Sequence, residues 1–339
     1  MSTRDWLLIV GGVVLAPAAF VAALPWLIQP LLRVLLRPRY RFRVRGREHL
    51  PKSGPALLAV NHVTWLDGFF LAATCPRRGR ALVNSSYINL PILRHLARRV
   101  GMIPVPFAGP RAQRAMFAAC REALDRGEIV AIFPEGQLSR NGLTGPFRRG
   151  LEVILKGREQ VPVIPVFLDD LWGSRFSYSG GRSLGKGAQG WRRTVNIAYG
   201  PPVPPPVTTF NVRQAVLAAG VRAFELREGA PRPRPLETID PALPHLDHPE
   251  LGPLTGSTAN YHRGDVHQVG HRPGTVGHPL PGVALRVVDD AGNVCPPDEE
   301  GRVQALLPGR PDWAETGLRG TLTCDGFLRE VTHSGMTKS

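Results

Sequence analysis

Short apolar runs alternate with helical patterns through the first two-thirds of this chain, and that alternation limits the folds it can adopt. Runs of four to eight apolar residues suit buried strands, and apolar residues at helical spacing suit packed helices. The predicted strands are residues 56–60, 80–84, 102–106, 128–133, 161–167 and 194–199, and the predicted helices are residues 90–100, 111–126, 147–156 and 211–227, with another starting at 64–67. Strands separated by helices predict an α/β domain with a mixed or mostly parallel sheet flanked by helices.

The pattern changes after this domain, which we assign to residues 37–227. Residues 228–250 are rich in proline, which predicts a partly extended linker. Residues 251–330 contain alternating apolar positions and glycine turns with little helical periodicity, which predicts a small β-rich unit. Residues 331–339 form a tail.

The N-terminus, residues 1–36, is predicted to be a membrane anchor. Residues 6–36 are almost continuously apolar, and about 20 such residues span a bilayer core. Pro17, Pro25, Gln29 and Pro30 interrupt the run, so we expect N-terminal membrane helices that either span the bilayer or re-enter it. A cleavable signal peptide is the alternative, but the run is long and only Arg4 precedes it.

The positive charge belongs to the first two-thirds of the chain. Residues 1–230 carry 32 basic and 13 acidic residues, whereas residues 231–339 carry 10 basic and 14 acidic residues. This imbalance implies an anionic partner, which is a phosphate-bearing substrate, an anionic membrane surface or nucleic acid. No nucleic-acid motif accompanies the charge, so we expect no nucleic-acid partner.

A row of arginines begins near the end of the apolar run, at positions 33, 37, 39, 41, 43, 45 and 47. A basic flank of this kind suits the cytoplasmic side of a membrane, so we expect a membrane-associated protein with its active site on the cytoplasmic face of the cell membrane. The arginines from Arg37 to Arg47 alternate with other residues, so an edge strand with a solvated cationic face is the alternative. The four cysteines lie far apart without metal or redox spacing and are predicted to be reduced thiols.

The strand at 56–60 delivers a histidine and, five residues later, an aspartate. His62 could take a proton through one ring nitrogen while Asp67 holds the proton on the other. The alternative is structural, because Thr64 and Asp67 also fit a capping box at a helix start.

A second carboxylate, Glu135, follows the predicted strand 128–133. Ligands bind beyond the carboxyl ends of strands in open α/β sheets, so His62 and Glu135 could converge on one pocket, although a Pro-Glu-Gly sequence could be only a turn. Arg140, Arg148 and Arg149 follow and could bind phosphate or form a solvated basic face.

The G-x-S-x-G sequence at residues 181–185 does not follow an apolar strand, and no cysteine follows a strand of this type. A histidine–aspartate pair without a protein nucleophile suggests a base that activates a substrate hydroxyl. With a membrane anchor and a basic surface, that hydroxyl would belong to a lipid, and the chemistry would be direct acyl transfer.

Three motifs carry a resemblance to glycerolipid acyltransferases of the lysophosphatidate acyltransferase type over roughly residues 40–205. They are N-H-V-T-W-L-D at 61–67, F-P-E-G at 133–136 and V-P-V-I-P-V at 161–166. The resemblance implies that His62 is the general base, that Asp67 orients it, and that Glu135 and Gly136 help to hold the acceptor. We add Asn61 and Arg140 to the predicted substrate-binding residues. The donor would be acyl-CoA or acyl carrier protein as a co-substrate, with no metal or bound cofactor.

The chain departs from this family at Phe107, which stands where the family's G-x-x-F-I-x-R element has an arginine for acceptor phosphate. That departure puts a simple lysophosphatidate acceptor in question. Residues 171–181 look more like the acyltransferase half of bifunctional acyltransferase/acyl-acyl-carrier-protein synthetases, which re-acylate 2-acylglycerophosphoethanolamine.

The C-terminal residues 272–289, 299–303 and 316–328 resemble the late part of an adenylate-forming (AMP-binding) acyl-CoA ligase. That family's phosphate loop is missing, and Leu318 replaces its ribose-binding aspartate. We therefore expect a truncated remnant or a docking module without adenylation activity.

The sequence thus predicts a membrane-anchored acyltransferase that acts on a lysophospholipid of the 1-acylglycerol-3-phosphate or 2-acylglycerophosphoethanolamine type. The alternative is a catalytically inactive membrane scaffold that binds through its basic face and its β-rich unit.

Overall fold

A computed structural model describes residues 26–84, 101–105, 109–181, 190–229 and 236–333, together with the single positions 19, 22, 23, 97 and 233. The predicted helix 90–100, apart from Ala97, and Phe107 lie outside the described residues.

The first two-thirds of the chain form one seven-stranded sheet with helices on both faces. Its strands are β1 (Tyr40–Arg45), β2 (Ala56–Val60), β3 (Gly79–Asn84), β4 (Met102–Val105), β5 (Ile129–Ile132), β6 (Val163–Asp169) and β7 (Arg193–Tyr199). The helices are α1 (residues 26–36), α2 (Asp67–Thr74), α3 (Pro110–Asp125), α4 (Gly150–Leu155) and α5 (Thr209–Phe224). Short 3-10 turns occur at Arg47–His49 and Ser179–Gly181.

The strand order is β1-β7-β6-β2-β5-β3-β4. Every neighbouring pair is parallel except β6 and β7, which are antiparallel. The predicted mixed or mostly parallel sheet flanked by helices is therefore confirmed.

Strand β2 lies at the centre of this sheet, and all five of its residues are buried. Leu58 and Val60 face one layer, where they join a core with Phe70 of α2. Leu57 and Ala59 face the other layer, where they join a core that includes residues of α3, α4 and α5. A strand covered on both faces needs apolar residues at every position, which explains the unbroken run in the sequence.

Strand β1 is an edge strand, as the alternative interpretation of the arginine row predicted. Part of its positive charge is used within the chain. Arg45 pairs with Glu225 at 2.5 Å, and Arg43 pairs with Glu228 and donates to the carbonyl of Leu226. These arginines tie the edge of the sheet to the end of α5.

Most of the predicted membrane anchor at residues 1–36 lies outside the described residues. The described part of this segment includes helix α1. This helix docks on the end of α2 and the turn after it. Arg33 donates to the carbonyl of Ala73 at 2.7 Å, and Gln29 donates to that of Arg77 at 3.2 Å. Among the described helices, none has both the length and the apolar character needed to cross a bilayer, so the expected N-terminal membrane helices have no support there.

The C-terminal unit is rich in β-strands, as expected. Its strands are β8 (Leu246–His248), β9 (Gly252–Gly256), β10 (Tyr261–Arg263), β11 (Val266–Gln268), β12 (His278–Pro279), β13 (Ala284–Val288), β14 (Gly301–Leu306), β15 (Ala314–Leu322) and β16 (Leu328–His333). Strands β13 to β16 form an antiparallel sheet in sequence order, β10 pairs with β11, and β12, β9 and β8 form a third sheet.

Part of the expected linker at 228–250 packs on the C-terminal unit, where Ile239 forms a bridge with Thr258. Strand β8 pairs antiparallel with β9, so residues 246–248 belong to the C-terminal unit.

Helix α5 packs against both units. Val212 and Val216 lie in the core beneath the seven-stranded sheet. Leu217 and Val221 pack against Ala284 and Leu306 of the C-terminal unit. A helix shared in this way holds the two units together through apolar contacts on two of its faces.

Candidate active site

The site lies where β2 and β5 end side by side. These strands are parallel neighbours, with Ala59 opposite Ile132, so the residues that follow them emerge at the same edge of the sheet. The main-chain N–H of His62 donates to Oε1 of Glu135 at 2.8 Å. The expected convergence of these two motifs is therefore present in the structure.

His62 is held by a carboxylate on one side and by an aromatic ring on one face. Its Nδ1 lies 2.9 Å from Oδ2 of Asp67, and its ring stacks on Phe133 with 4.2 Å between ring centroids. The imidazole is 23% exposed, and Nε2 makes no hydrogen bond to any described residue. A proton on Nδ1 leaves the lone pair on Nε2, so this nitrogen is the one able to accept a proton.

Asp67 is fully buried and receives hydrogen bonds from the chain before it. Its Oδ2 accepts from the main-chain N–H of Val63 at 2.6 Å and of Thr64 at 2.9 Å, and its Oδ1 accepts from the hydroxyl of Thr64. The same carboxylate therefore organises the helix start and orients His62. The capping interpretation and the catalytic interpretation are both compatible with this geometry.

Glu135 is buried, and both of its oxygens accept main-chain N–H groups. Oε1 accepts from His62, and Oε2 accepts from Gly145 at 2.8 Å. Burial raises the pKa of Glu135 to about 8, against the opposing effects of these two N–H donors and of the Arg213 charge. The carboxylate thus joins the end of β2 to the segment after β5.

Asn61, predicted to bind substrate, uses its side chain within the sheet. Its amide donates to the carbonyl of Leu168 at 3.1 Å and accepts from the N–H of the same residue at 2.7 Å. This pair of bonds continues the pairing of β2 with β6 by one step beyond Val60. The side chain fixes where His62 leaves the sheet, and a role in substrate binding stays a prediction.

Gly136 adopts a backbone conformation that few other residues tolerate. Its φ is +67°, and a Cβ atom there would lie 2.8 Å from Nε of Arg148. Glycine at this position lets the Arg148 side chain lie against the turn after Glu135. The predicted acceptor-binding role of Gly136 stays a prediction.

Arg140 lies on the segment that follows β5, between aromatic rings from the two units. Its guanidinium carbon is 3.3 Å from the ring centroid of Tyr178 and 5.6 Å from that of Tyr261. Its Nε is buried and makes no hydrogen bond to the described residues. The sequence-predicted role in substrate binding remains untested by this arrangement.

The part of the chain that holds these motifs is similar to known proteins. Residues 41–169 match the Acyltransferase family. The matched residues, which we call the acyltransferase segment, run from β1 to the end of β6 and include His62, Asp67 and Glu135.

Curated relatives align with the same part of the chain. The chloroplastic 1-acyl-sn-glycerol-3-phosphate acyltransferase BAT2 of Brassica napus is 29% identical over 136 residues, which is 40% of this chain and 39% of that protein. The chloroplastic LPAT1 enzyme of the same type from Arabidopsis thaliana is 29% identical, over 40% of this chain and 38% of that protein. The chain therefore spans about two-fifths of the length of these relatives.

A solved structure aligns with a larger share of the chain. The 1-acyl-sn-glycerophosphate acyltransferase PlsC of Thermotoga maritima is 20% identical, covers 60% of this chain and 80% of its own, and has a TM-score of 0.45.

A site-supporting residue that the sequence did not reveal, Arg213, lies outside the acyltransferase segment, on α5. It donates to the carbonyls of Gly145 at 3.0 Å and Thr144 at 2.8 Å. Burial lowers its pKa to about 10, while the negative charges of Glu135 and Asp325 oppose that shift. No local motif marks Arg213, because its partners are almost 70 positions away in the chain.

Residues 137–147, which we call the site loop, contact Glu135, His62 and Arg213. Glu135 holds one end of the loop through Gly145, and the main-chain N–H of Ser139 donates to the carbonyl of His62 at 2.9 Å. Arg213 holds the loop from α5. The acyltransferase segment therefore presents a histidine whose Nε2 has no hydrogen-bond partner within the described part of the chain. A buried aspartate orients this histidine, and the site loop contacts its main chain.

Proposed function

We propose that this protein transfers a fatty acyl group from a thioester donor, acyl-CoA or acyl carrier protein, to the hydroxyl of a lysophospholipid. The single observation that carries the proposal is the 2.9 Å contact between Nδ1 of His62 and Asp67 at the carboxyl end of β2, which leaves Nε2 unpartnered among the described residues. A match of residues 41–169 to the Acyltransferase family supports the reaction type.

In the proposed reaction, the acceptor hydroxyl oxygen attacks the carbonyl carbon of the thioester. Nε2 of His62 takes the hydroxyl proton as the new C–O bond forms, and Asp67 stabilises the imidazolium. The C–S bond then breaks, and the leaving sulfur takes the proton back from His62. The products are an ester and a free thiol, and His62 returns to its starting state.

Direct transfer to the acceptor is favoured over a covalent enzyme intermediate on cysteine. Cys75, Cys120 and Cys295 are buried, and burial raises the pKa of Cys120 to about 12. The thiolate is the nucleophilic form, so a thiol with a raised pKa is a poor nucleophile near neutral pH. Cys324 is exposed and lies in the C-terminal unit.

For the acceptor, we propose a lysophospholipid of the 2-acylglycerophosphoethanolamine type, with 1-acylglycerol-3-phosphate as the second candidate. Phe107 in place of the family's phosphate-binding arginine and the character of residues 171–181 favour the first acceptor. The names of the curated relatives favour the second. Adenylation by the ligase-like C-terminal unit is not part of the proposal.

An acceptor panel tests the proposed reaction directly. Purified protein is mixed with each lysophospholipid and with either acyl-CoA or acyl-acyl carrier protein, and the lipids are read by mass spectrometry. We expect an ester product from at least one lysophospholipid, with 2-acylglycerophosphoethanolamine preferred. Failure to form any ester with either donor would rule out the proposed function.

We also propose that the protein works at an anionic membrane surface, on the cytoplasmic face. Helix α1 exposes the apolar side chains of Trp26, Leu31, Val34 and Leu35, and contact between apolar surface and water is unfavourable. Cations border it, since the Arg78 guanidinium lies 3.3 Å from the Trp26 ring centroid. Apolar side chains next to cations suit the boundary between lipid headgroups and acyl chains.

Vesicle co-sedimentation tests this membrane proposal. Vesicles that contain an anionic phospholipid should bind the protein, and a double variant Val34→Glu, Leu35→Glu should bind them at least about tenfold more weakly. Equal binding of the variant and the wild type would show that α1 is not the contact surface.

A further inference from the structure

The buried side chain of Gln268, at the end of β11, joins the C-terminal unit to the candidate active site. Its Oε1 accepts from the main-chain N–H of Arg140 at 2.6 Å, and its Nε2 donates to Oδ1 of Asn141 at 2.6 Å. Gln268 is 5% exposed, so water does not compete for these bonds. A residue of the β-rich unit thus contacts the middle of the site loop.

Other residues outside the acyltransferase segment hold the same point of the site loop. The side-chain amide of Asn141 donates to the hydroxyl of Thr258 at 2.9 Å. The main-chain carbonyl of Asn141 accepts from the hydroxyl of Thr238 at 2.6 Å. Near the start of the site loop, the side-chain amide of Gln137 donates to the main-chain carbonyl of His267 at 3.0 Å. Together with the two bonds of Gln268, five hydrogen bonds join the site loop to residues 238–268.

The site loop carries this restraint to His62. Ser139, the residue before Arg140, donates its main-chain N–H to the carbonyl of His62. The side chain of Ser139 also donates to the carbonyl of Leu143 at 2.8 Å and accepts from the N–H of Gly142 at 3.0 Å. Gln268 is therefore separated from His62 by two adjacent residues of one closed turn.

We infer that Gln268 is a positioning residue for the acyl-transfer reaction and that the C-terminal unit is a working part of the acyltransferase site. The inference rests on the proposed function, because the reaction is what the positioning serves. The role differs from that expected of a ligase remnant or a docking module. The unit fixes the site loop against the main chain of His62 and needs no nucleotide or further partner to do so.

The chemistry of the Gln268 amide gives a test that separates positioning from general stability. Its oxygen must accept and its nitrogen must donate, so Gln268→Ala loses both bonds to the site loop. In Gln268→Glu, a protonated carboxyl keeps one acceptor and one donor, whereas an ionised carboxyl has no donor for Asn141. Burial raises the pKa of a carboxyl group, so the protonated form should be reached in mildly acidic solution.

The experiment measures kcat and KM for acyl transfer by full-length wild type, Gln268→Ala and Gln268→Glu from about pH 6 to about pH 8. We expect kcat of Gln268→Ala to fall by about 10- to 100-fold at every pH, since a small displacement of a catalytic group costs that much. The ratio of Gln268→Glu to wild-type kcat should rise roughly tenfold as the pH falls from 8 to 6.

Gln304→Ala is the matched control. Gln304 belongs to the same C-terminal unit, accepts from Arg286 at 2.7 Å and contacts Glu315, away from the site loop. It should retain wild-type kcat and the wild-type pH profile. Circular dichroism confirms that each variant is folded, and if Gln268→Ala does not fold, the pH ratio of Gln268→Glu decides the question.

The outcomes separate the two claims. A wild type that forms no ester in this assay defeats the proposed function. A wild type that is active, with Gln268→Ala at wild-type kcat or Gln268→Glu at a constant ratio to wild type, defeats the positioning role and leaves the proposed function standing.

Discussion

The carboxylate of Glu135 accepts a hydrogen bond from the main-chain N–H of His62, at 2.8 Å and across 73 positions of sequence. Its other oxygen accepts from Gly145. In this structure the carboxylate of the F-P-E-G motif holds the base and the site loop together. Acceptor binding by Glu135, which the family resemblance implies, stays a prediction beside this observed role.

The buried position of Glu135 should make the protein less stable as the pH rises. Burial raises its pKa from an ordinary 4.5 to about 8, so over that range the folded protein keeps a proton that the unfolded chain releases. The stability from this proton is fully present below about pH 4.5 and is lost as the pH rises through about 8. Glu135→Gln cannot titrate. Urea unfolding should show the wild type losing a few kcal/mol relative to this variant between about pH 5 and about pH 9.

The amide of Glu135→Gln also faces N–H donors, which adds a cost that does not change with pH. A constant difference between the two proteins across the range would therefore contradict a raised pKa for Glu135.

Asp67→Asn should reduce activity far more than it reduces stability. Asp67 orients His62 and stabilises the charge that forms on it, so we expect kcat to fall by about 10²- to 10⁴-fold. Thr64→Val is the matched comparison, because it removes the hydroxyl bond to Asp67 and leaves the contact of Asp67 with His62. Its kcat should stay within about tenfold of wild type. Equal losses in the two variants would mean that Asp67 acts only through the helix start.

Arg213→Met should destabilise the site loop. The substitution leaves the buried carbonyls of Thr144 and Gly145 without their donor, and we expect a loss of about 2–4 kcal/mol in the free energy of unfolding. Arg222→Met, on the same helix but partly exposed, should cost about 1 kcal/mol or less. Urea unfolding of both variants checks this, and similar losses would show that burial of Arg213 carries no special weight.

Asn61→Ala separates a structural role from substrate binding. The variant loses both hydrogen bonds to the main chain of Leu168, so it should lose about 1–3 kcal/mol of stability. Where it remains folded, KM for the acceptor should stay within about threefold of wild type, because the amide faces the sheet. A rise in KM of more than tenfold with unchanged stability would support the original substrate-binding prediction.

The parts of the fold that follow local rules were predictable from sequence. The apolar run of β2 and the alternation of strands with helices depend on burial of both sheet faces, and both leave a pattern in the chain. The positions of His62 and Glu135 after the carboxyl ends of two strands followed from the same pattern. The alternating arginines of β1 also predicted its position at the edge of the sheet.

The support of the site could not be predicted in the same way. Arg213 and Gln268 bond to the site loop across 68 and 128 positions, and no local periodicity records such contacts. The direction in which the Glu135 carboxylate points depends on the path of that loop. Strand β8 was not predicted, because a proline-rich segment looks like a linker until its partner strand is known.

Acyl transfer by the wild type and by His62→Ala is the most direct test of the whole account. Both proteins are given acyl-CoA or acyl-acyl carrier protein with a lysophospholipid, and ester formation is followed by mass spectrometry. His245→Ala, which removes an exposed histidine just before β8, is the control. We expect ester formation by the wild type and the control, and a rate about 10²- to 10⁴-fold lower for His62→Ala. Equal rates for His62→Ala and the wild type would contradict the mechanism, and no ester from any of the three would favour an inactive scaffold.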